Sequence, residues 1–288
     1  MPVVSVIIPV FNAAAFLQRC LESIRCQTFT DWEAVCVDDG STDGTGALLD
    51  RWASDDPRIR VLHKENAGVS AARNDAVAAC RGEYVLFVDS DDFLHPQTME
   101  ICLRLARRDG SDLVAFTYDR RFRRRMMVRH LFHLPDPKKQ DFKSFENPDT
   151  VVTEDIFDWA TELSPPGKRL ITKHCQPWRC LYRKDLIDGI TFIPGIIYED
   201  FPWWSEVLLR VRRATLTDLP LYFYYPNRTS YIFRSREEFK VRSLEIAIPA
   251  AIRIYEHADP ADRERWERNF LRPFQEKLAK KKARLRNA

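Results

Sequence analysis

Residues 3–10 read VVSVIIPV, a nearly continuous run of apolar and mostly β-branched side chains. Such a run is typical of a strand that is buried on both faces of a parallel sheet. Asn12 follows as a candidate helix N-cap, and apolar side chains then recur at helical spacing from Phe16 to Ile24. The opening of the chain therefore predicts a strand followed by a helix.

Strand and helix patterns continue to alternate as far as residue 118. They predict further strands at 34–37, 59–62, 84–88 and 113–116, and helices at 45–53, 69–79 and about 96–107. Repeated strand–helix units with right-handed crossovers form a mostly parallel sheet flanked by helices. The predicted fold class is therefore α/β.

The chain changes in character at residue 119. Five arginines fall within residues 120–125, and the segment that they begin is rich in proline, lysine and aspartate. We interpret residues 119–150 as a basic insertion. Beyond it the patterns predict a strand at 176–182, a helix at 199–211, a strand at 221–225 and helical structure at 235–288. The predicted divisions of the chain are residues 1–118, residues 119–232 and a helical tail at 233–288.

The composition of the 288 residues is that of an ordinary globular protein, with 45% hydrophobic and 30% charged residues. A net charge of +3 argues against a dedicated nucleic-acid-binding protein, so no nucleic-acid partner is expected. The seven cysteines are an odd number without C-x-x-C spacing, which predicts buried reduced thiols rather than disulfides or a zinc site. The first apolar run has no basic residue before it and is interrupted by Pro9, so we expect a cytoplasmic protein.

Acidic residues follow two of the predicted strands, at the sheet edge where open α/β folds bind ligands. Asp38 and Asp39 follow the second strand, and they could either bind a ligand or only form a turn and cap a helix. Asp89-Ser90-Asp91-Asp92 follows the fourth strand. Three carboxylates so close together repel one another unless a cation offsets them, and oxygen ligands favour Mg²⁺ or Mn²⁺. The loop therefore predicts a metal and phosphate site.

Four segments resemble the ordered landmarks of family 2 glycosyltransferases: SVIIPVFN at 5–12, VDDGSTDGT at 37–45, NAGVSAARN at 66–74 and FVDSDDFL at 87–94. These are inverting enzymes with the A-type, Rossmann-like nucleotide-sugar fold. WRCLY at 178–182 and YEDF at 198–201 are similar to acceptor-side landmarks of bacterial members that build capsules, lipopolysaccharides and exopolysaccharides. PLY at 220–222, with Arg228 and Ser230, matches the closing strand and loop. The resemblance covers residues 3 to about 232.

The resemblance implies a donor-binding half at residues 1–118 and an acceptor-binding half at 119–232. Nucleotide contacts are expected along the whole donor. Pro9 and Phe11 would border the nucleobase, and Asp38 or Asp39 would hydrogen-bond it. Arg73 would contact the diphosphate or ribose, Ser90 would lie near the ribose, and Asp89 would support the loop. Asp91 would be the direct ligand of Mn²⁺ or Mg²⁺. Asp200 matches the general base, and acceptor contacts are expected from Glu199, Trp178, Trp203 and Arg228, with the aromatic pair forming either a sugar platform or core.

The implied function is an inverting, metal-dependent glycosyltransferase. Its donor would be a nucleoside diphosphate sugar, with UDP as the expected nucleotide, and its acceptor a hydroxyl of a bacterial surface glycan or of a lipid-linked acceptor. One alternative is a haloacid-dehalogenase-like phosphohydrolase, whose Asp-x-Asp would be expected after the first strand. A non-catalytic nucleotide-sugar binding module is another alternative, but it would be expected to lack the metal aspartates or Asp200.

The tail leaves two interpretations open. Residues 263–286 contain ten basic and three acidic residues, and an apolar stripe recurs every four residues through Trp266, Phe270, Phe274 and Leu278. The helix could lie on an anionic membrane surface, which would place the enzyme peripherally on the inner face of the cell membrane. Alternatively, the stripe packs on the enzyme itself and the charges face solvent.

Overall fold

The computed structural model describes residues 1–119, 150–153, 176–225, 227 and 234–286. Over these residues the chain forms a mixed sheet of nine strands. The strands are β1 (Val4–Val10), β2 (Trp32–Asp38), β3 (Ile59–His63), β4 (Tyr84–Phe87), β5 (Phe93–Leu94), β6 (Leu113–Asp119), β7 (Thr150–Thr153), β8 (Cys180–Arg183) and β9 (Ala214–Phe223). The predicted basic insertion lies almost entirely outside the described residues.

The helices of the described ranges fill the connections between strands and form the tail. They are α1 (Ala14–Arg25), α2 (Thr45–Asp55), α3 (Val69–Ala79), α4 (Thr98–Asp109), α5 (Lys184–Ile187), α6 (Asp200–Arg210), α7 (Glu237–Ile254), α8 (Pro260–Trp266) and α9 (Arg272–Arg286). A π-helical turn at Glu267–Leu271 joins α8 to α9. Every helix predicted in the first 118 residues is present, with ends within two residues of the predicted positions.

The sheet has a parallel half and a mixed half. Its strand order is β3-β2-β1-β4-β8-β6-β9-β5, and β7 pairs with β9 outside this path. The first four strands in this order are parallel, whereas β8 runs antiparallel to both β4 and β6. Because parallel crossovers are right-handed, α1 and α2 lie on one face of the sheet and α3 on the other. The predicted α/β sheet flanked by helices is confirmed, and residues 176–225 complete the sheet that the first 119 residues begin.

The start of α1 differs from the sequence prediction, which placed an N-cap at Asn12. The helix begins at Ala14, and Asn12 adopts a φ of 47° instead of capping it. The loop after β2 and the first residue of α2 supply the acceptors, since Ala14 N donates to Asp43 Oδ2 at 3.2 Å and Ala13 N donates to Thr45 Oγ1 at 2.9 Å. These bonds hold the start of α1 against that segment at the carboxyl edge of the sheet.

The apolar stripe of the tail packs on the enzyme, as the second interpretation predicted. Trp266 is 1% exposed, stacks on Tyr255 and donates a hydrogen bond from Nε1 to Ser205 Oγ at 3.1 Å. Phe274 stacks on Phe201 of α6, with ring centroids 4.0 Å apart. Trp266, Phe270 and Phe274 are thus buried, and Leu278 packs against the core as a partly buried side chain.

The cysteine prediction is confirmed for the described part of the chain. Cys20, Cys36, Cys80, Cys102 and Cys180 are buried thiols outside any disulfide, and Cys26 is partly buried. Burial raises the pKa of Cys36 to about 12, so this thiol stays protonated. Among the described helices, none combines the length and the apolar character needed to cross a bilayer.

Candidate active site

The loop after β4 is fastened to β9 by one buried tyrosine. Tyr222 donates a hydrogen bond to Asp92 Oδ2 at 2.7 Å, and its hydroxyl oxygen accepts one from Asp89 N at 3.1 Å. Asp92 is fully buried, and its Oδ1 accepts a further bond from Tyr225 N at 2.6 Å. Burial, followed by the charges of Asp91 and Asp89, raises the pKa of Asp92 well above its ordinary value. Asp92 therefore anchors the loop.

Asp89, Ser90 and Asp91 are the partly exposed residues of this loop. Arg19 of α1 holds the backbone of this loop, since Arg19 Nη2 donates to Asp91 O at 2.9 Å. Burial, followed by the charge of Asp89, raises the pKa of Asp91 to about 6. Part of this shift comes from the neighbouring negative charge of Asp89, which a cation would offset, and a pair of carboxylates suits the oxygen preference of Mg²⁺ or Mn²⁺. Among the side chains that the structure describes, no group of three or more His, Cys, Asp or Glu forms a complete metal-ligand set.

Arg73 joins the two sides of the site. This α3 residue is 6% exposed, its Nη1 donates to Glu199 Oε1 at 2.7 Å, and its Nη2 donates to Asp89 Oδ1 at 3.0 Å. Burial alone would lower the pKa of Arg73, but the charges of Asp89 and Glu199 raise it. The guanidinium thus bonds one carboxylate on each side of the site. The contact of Arg73 with a diphosphate or ribose and the contact of Glu199 with an acceptor stay predictions.

Asp200 stands at the first position of α6. Tyr198, at a φ of 67° that bulky residues rarely adopt, turns the chain into this helix, and Phe201 N donates to Tyr198 O at 3.2 Å. Burial, followed by the charge of Glu199, raises the pKa of Asp200 to about 7, while Arg73 and Lys277 act in the opposite direction. A carboxylate with a pKa near neutrality is well suited to accept a proton.

Asp38, at the end of β2, belongs to a network on the β3 side of the site. Its Oδ1 accepts a hydrogen bond from Ser41 N at 3.1 Å, and its Oδ2 lies 3.0 Å from His63 Nδ1. His63 Nε2 lies 2.9 Å from Asp50 Oδ1 on α2. Asp50 first and Asp38 second raise the pKa of His63, which favours a charged imidazolium between the two carboxylates.

Asp39 belongs to a different network, on the α3 side. Its Oδ1 accepts a hydrogen bond from Ala67 N at 2.9 Å and its Oδ2 accepts one from Gly68 N at 2.8 Å, so it fixes the loop that leads into α3. Asn66 Nδ2 donates to Asp39 O at 2.8 Å. Both Asp38 and Asp39 thus bond within the protein, and each carboxylate has lone pairs left to accept a hydrogen bond from a nucleobase. The nucleobase contact of Asp38 or Asp39 stays a prediction.

The predicted base-bordering pair divides into one buried and one exposed residue. Pro9 is buried within β1, whereas Phe11 is 51% exposed at the carboxyl end of that strand. An exposed aromatic side chain at this edge provides an apolar surface against which a planar base can stack. Of the two residues, only Phe11 is exposed enough to contact a nucleobase with its side chain.

The aromatic candidates for acceptor contact lie in the core. Trp203 is 2% exposed and stacks on Phe192 with ring centroids 4.7 Å apart. Trp178 is 4% exposed and stacks on Tyr222 at 4.3 Å. Of the two alternatives, sugar platform or core, both side chains take the core position, and Trp178 supports the tyrosine that anchors the loop after β4. Arg228 lies outside the described residues.

Residues 5–157, more than half of the chain, match the family described as glycosyl transferase family 2. The chain belongs to glycosyl transferase family 2. The enzyme class predicted from the four ordered segments is confirmed, and membership of this family argues against the phosphohydrolase and binding-module alternatives.

Bacterial relatives agree with this assignment. The Escherichia coli K12 glycosyltransferase YibD is 31% identical over 232 residues, which are 78% of this chain and 62% of YibD. The Bacillus subtilis glycosyltransferase EpsJ is 28% identical over 266 residues, which are 89% of this chain and 70% of EpsJ. An Escherichia coli chondroitin synthase is 43% identical over 119 residues, 41% of this chain and 17% of the synthase. The chain thus spans less than two thirds of two of these relatives.

Solved structures confirm the A-type glycosyltransferase fold of this family 2 chain. Staphylococcus aureus TarS 1–349, in complex with UDP-GlcNAc, superposes with a TM-score of 0.66 at 21% identity, over 91% of this chain and 69% of TarS. The mannosyltransferase PcManGT from Pyrobaculum calidifontis, in complex with GDP-Man and Mn²⁺, gives a TM-score of 0.58 at 18% identity, over 98% of this chain and 75% of PcManGT.

Sequence reasoning did not single out the residues that hold this site together. Arg19 donates to Asp91 O, and His63 contacts Asp38. Tyr222 bonds the Asp89–Asp92 loop. Tyr222 stands in a segment that the family resemblance did cover, so that segment was the available signal. Arg19 and His63 lie in an amphipathic helix and at a strand end, where no local pattern marks them.

Replacing Tyr222 by phenylalanine is expected to loosen the loop after β4. The substitution removes the donor to Asp92 and the acceptor of Asp89 N, and each unsatisfied buried group costs about 1–3 kcal/mol. We expect a lower free energy of unfolding, measured by urea denaturation, together with weaker metal-dependent nucleotide binding.

Tyr182→Phe is the matched control for Tyr222→Phe. It removes the buried hydrogen bond from the Tyr182 hydroxyl to Pro177 O at 2.9 Å and leaves the contacts of the loop after β4 intact. This control should lower stability without changing nucleotide affinity. Equal nucleotide affinities in the wild type and in Tyr222→Phe would contradict the anchoring role.

Proposed function

We propose that this protein is an inverting, metal-dependent glycosyltransferase that moves a sugar from a nucleoside diphosphate donor to a hydroxyl of a bacterial surface glycan or lipid-linked acceptor. One observation carries the proposal. Through Arg73, the acidic loop after β4 is tied to the Glu199-Asp200 pair at the start of α6. A phosphate-side carboxylate cluster and a carboxylate with a pKa of about 7 therefore belong to one site.

The two sides supply the two functions that a single displacement at a sugar carbon requires. Asp200 accepts the proton of the acceptor hydroxyl as that oxygen attacks the anomeric carbon. Attack from the face opposite the leaving diphosphate inverts the anomeric centre. Asp91, supported by Asp89, would hold Mn²⁺ or Mg²⁺, whose chemistry is to stabilise the negative charge on the leaving diphosphate.

UDP is the proposed nucleotide. TarS, the more similar of the two structures described above, was solved with UDP-GlcNAc, whereas PcManGT was solved with GDP-Man and Mn²⁺. The exposed Phe11 would stack on the base, with Asp38 or Asp39 accepting its N–H hydrogen bond, and Ser90 would lie near the ribose. The division of labour that we propose is donor binding by residues 1–118 and acceptor binding by residues 119–232.

A lipid-linked acceptor would bring the enzyme to the inner face of the cell membrane. Any membrane contact of the tail would depend on charge alone, because its apolar stripe is buried. Part of that charge is already paired within the protein, since Lys281 contacts Glu237 at 2.8 Å and Lys282 contacts Glu245 at 2.7 Å. We therefore expect a weak, salt-sensitive association at most.

Calorimetric titration with UDP, GDP and dTDP, each with Mn²⁺ and with EDTA, tests the proposed donor site. We expect UDP to bind in Mn²⁺ and to lose its affinity in EDTA. Binding of GDP or dTDP alone would correct the nucleotide and leave the reaction class standing. Failure of all three nucleotides to bind would contradict a nucleoside diphosphate donor of these bases.

A further inference from the structure

The tail of the chain lies against the helix that carries the proposed base. Phe274 of α9 stacks on Phe201, the residue that follows Asp200, with an interplanar angle of 9°. Trp266 lies parallel to the same Phe201 ring at 6.1 Å. Aromatic stacks of this kind fix the distance and orientation of the elements that they join. The tail therefore packs directly against the start of α6.

Lys277 of α9 lies close to the start of α6, the helix that carries the proposed general base. It follows Phe274 by three residues, so it shares a face of α9 with that ring, and its Nζ lies 4.2 Å from the centroid of the Tyr198 ring. Tyr198 is the residue that turns the chain into α6, two positions before Asp200. A cation over an aromatic ring is attracted to the ring face. Lys277 thus occupies a defined position over the Tyr198 ring, two residues before Asp200 in the chain, although its side chain reaches the surface.

A second contact holds α9 at this position. Lys281, one helical turn after Lys277, pairs with Glu237 at the start of α7, and Lys240 pairs with the same carboxylate at 3.0 Å. The hydrogen bonds of the two lysines hold the pKa of Glu237 at about 2, so the pairing persists across the working pH range. The ion pairs and the aromatic stack together fix the register of α9 against α6.

We propose that Lys277 is a positioning residue of the active site, whose ammonium group, held over the Tyr198 ring by the packed tail, stabilises the carboxylate form of Asp200. The inference deepens the proposed function, on which it rests for the role of Asp200 as a base. It also gives the tail a catalytic purpose, although the tail lies outside residues 5–157 that match the family.

The charges around Asp200 determine the sign of the effect. Burial and Glu199 favour the protonated acid, whereas Arg73 and Lys277 favour the carboxylate. Arg73 is already shared between Glu199 and Asp89, so its charge is largely offset by two carboxylates. Tyr198 stays neutral, because burial first and the charge of Glu237 second raise its pKa to about 12. Removing the Lys277 charge should therefore raise the pH at which Asp200 ionises.

The direct test is a carbon-13 NMR titration of the aspartate carboxyl groups in the nucleotide-free protein, with the Asp200 signal assigned from Asp200→Asn. We expect Lys277→Gln to raise the Asp200 midpoint by roughly 0.2–0.7 pH unit, the size of one solvent-screened ion pair. Lys277→Arg keeps the charge and should keep the midpoint. Lys282→Gln, on the same helix but paired with Glu245, is the matched control and should leave the midpoint unchanged.

Two outcomes would overturn the inference. One is an Asp200 midpoint that is the same in the wild type and in Lys277→Gln, and the other is an equal shift in Lys277→Arg and Lys277→Gln. A merely structural lysine would lower thermal stability without moving the midpoint. Because the NMR titration needs neither donor nor acceptor, it tests the effect of Lys277 on Asp200 even if the nucleotide titrations contradict the proposed function. In an active enzyme, the same shift should slow donor turnover roughly twofold to fivefold at pH values below the midpoint.

Discussion

Asp91→Asn is expected to abolish metal-dependent binding of the nucleoside diphosphate donor. The substitution keeps the shape of the side chain and removes the charge that would attract a divalent cation. Altering even a residue that only supports a metal ligand commonly costs 10–100-fold in affinity, so loss of the ligand itself should cost at least about that much. Calorimetric titration of UDP in Mn²⁺ measures the effect directly.

Asp185→Asn serves as the control for this substitution. Because β8 runs antiparallel to β4, Asp185 lies beyond the amino end of β4, at the opposite edge of the sheet from Asp91. Its carboxylate accepts a hydrogen bond from Arg183 Nε at 2.6 Å and is mostly exposed. We expect this variant to bind UDP as the wild type does. Equal UDP affinity in the wild type and in Asp91→Asn would refute the metal assignment.

The parallel half of the sheet was predictable because each of its strands and helices has its own sequence pattern within a short stretch of chain. β1, β2 and β4 are short apolar runs, and the helices between them repeat apolar residues at helical spacing. The mixed half was harder to predict. β9 begins at Ala214, seven residues before its predicted start, because Asp218 and Pro220 interrupt the strand pattern. Pairing with β6 through a shifted register overrides that interruption, and sequence periodicity does not report it.

The ends of the strands were predictable, but the partners of the side chains there were not. Acidic residues after β2 and β4 predicted a ligand-binding edge, and the structure places them together at the carboxyl edge of the parallel strands. Arg73 and Glu199 are separated by 126 positions in the chain, so no local pattern could show that they form an ion pair. For Trp203 both a sugar platform and a core position stood as alternatives, because composition does not reveal which face of α6 is covered.

Asp200→Asn is expected to remove sugar transfer while leaving donor binding nearly intact. An asparagine cannot accept the proton of the attacking hydroxyl, and loss of a positioned general base typically costs about 10²–10⁴-fold in rate. Release of UDP from the donor that binds, with water as the acceptor, measures this step without a known glycan. UDP affinity, measured by calorimetry in Mn²⁺, should stay close to that of the wild type.

The pH dependence of the wild type provides an independent check on Asp200. Only the ionised carboxylate accepts a proton, and the pKa of Asp200 is raised to about 7 by burial first and by Glu199 second. The rate of UDP release should therefore rise with pH through about 7 and fall about tenfold for each pH unit below it. Glu206→Gln makes the same carboxylate-to-amide change at a surface ion pair of α6, with Arg210, and should retain both the rate and this profile. A full rate in Asp200→Asn, or a wild-type rate that does not change between pH 5 and 8, would transfer the role of base to another residue.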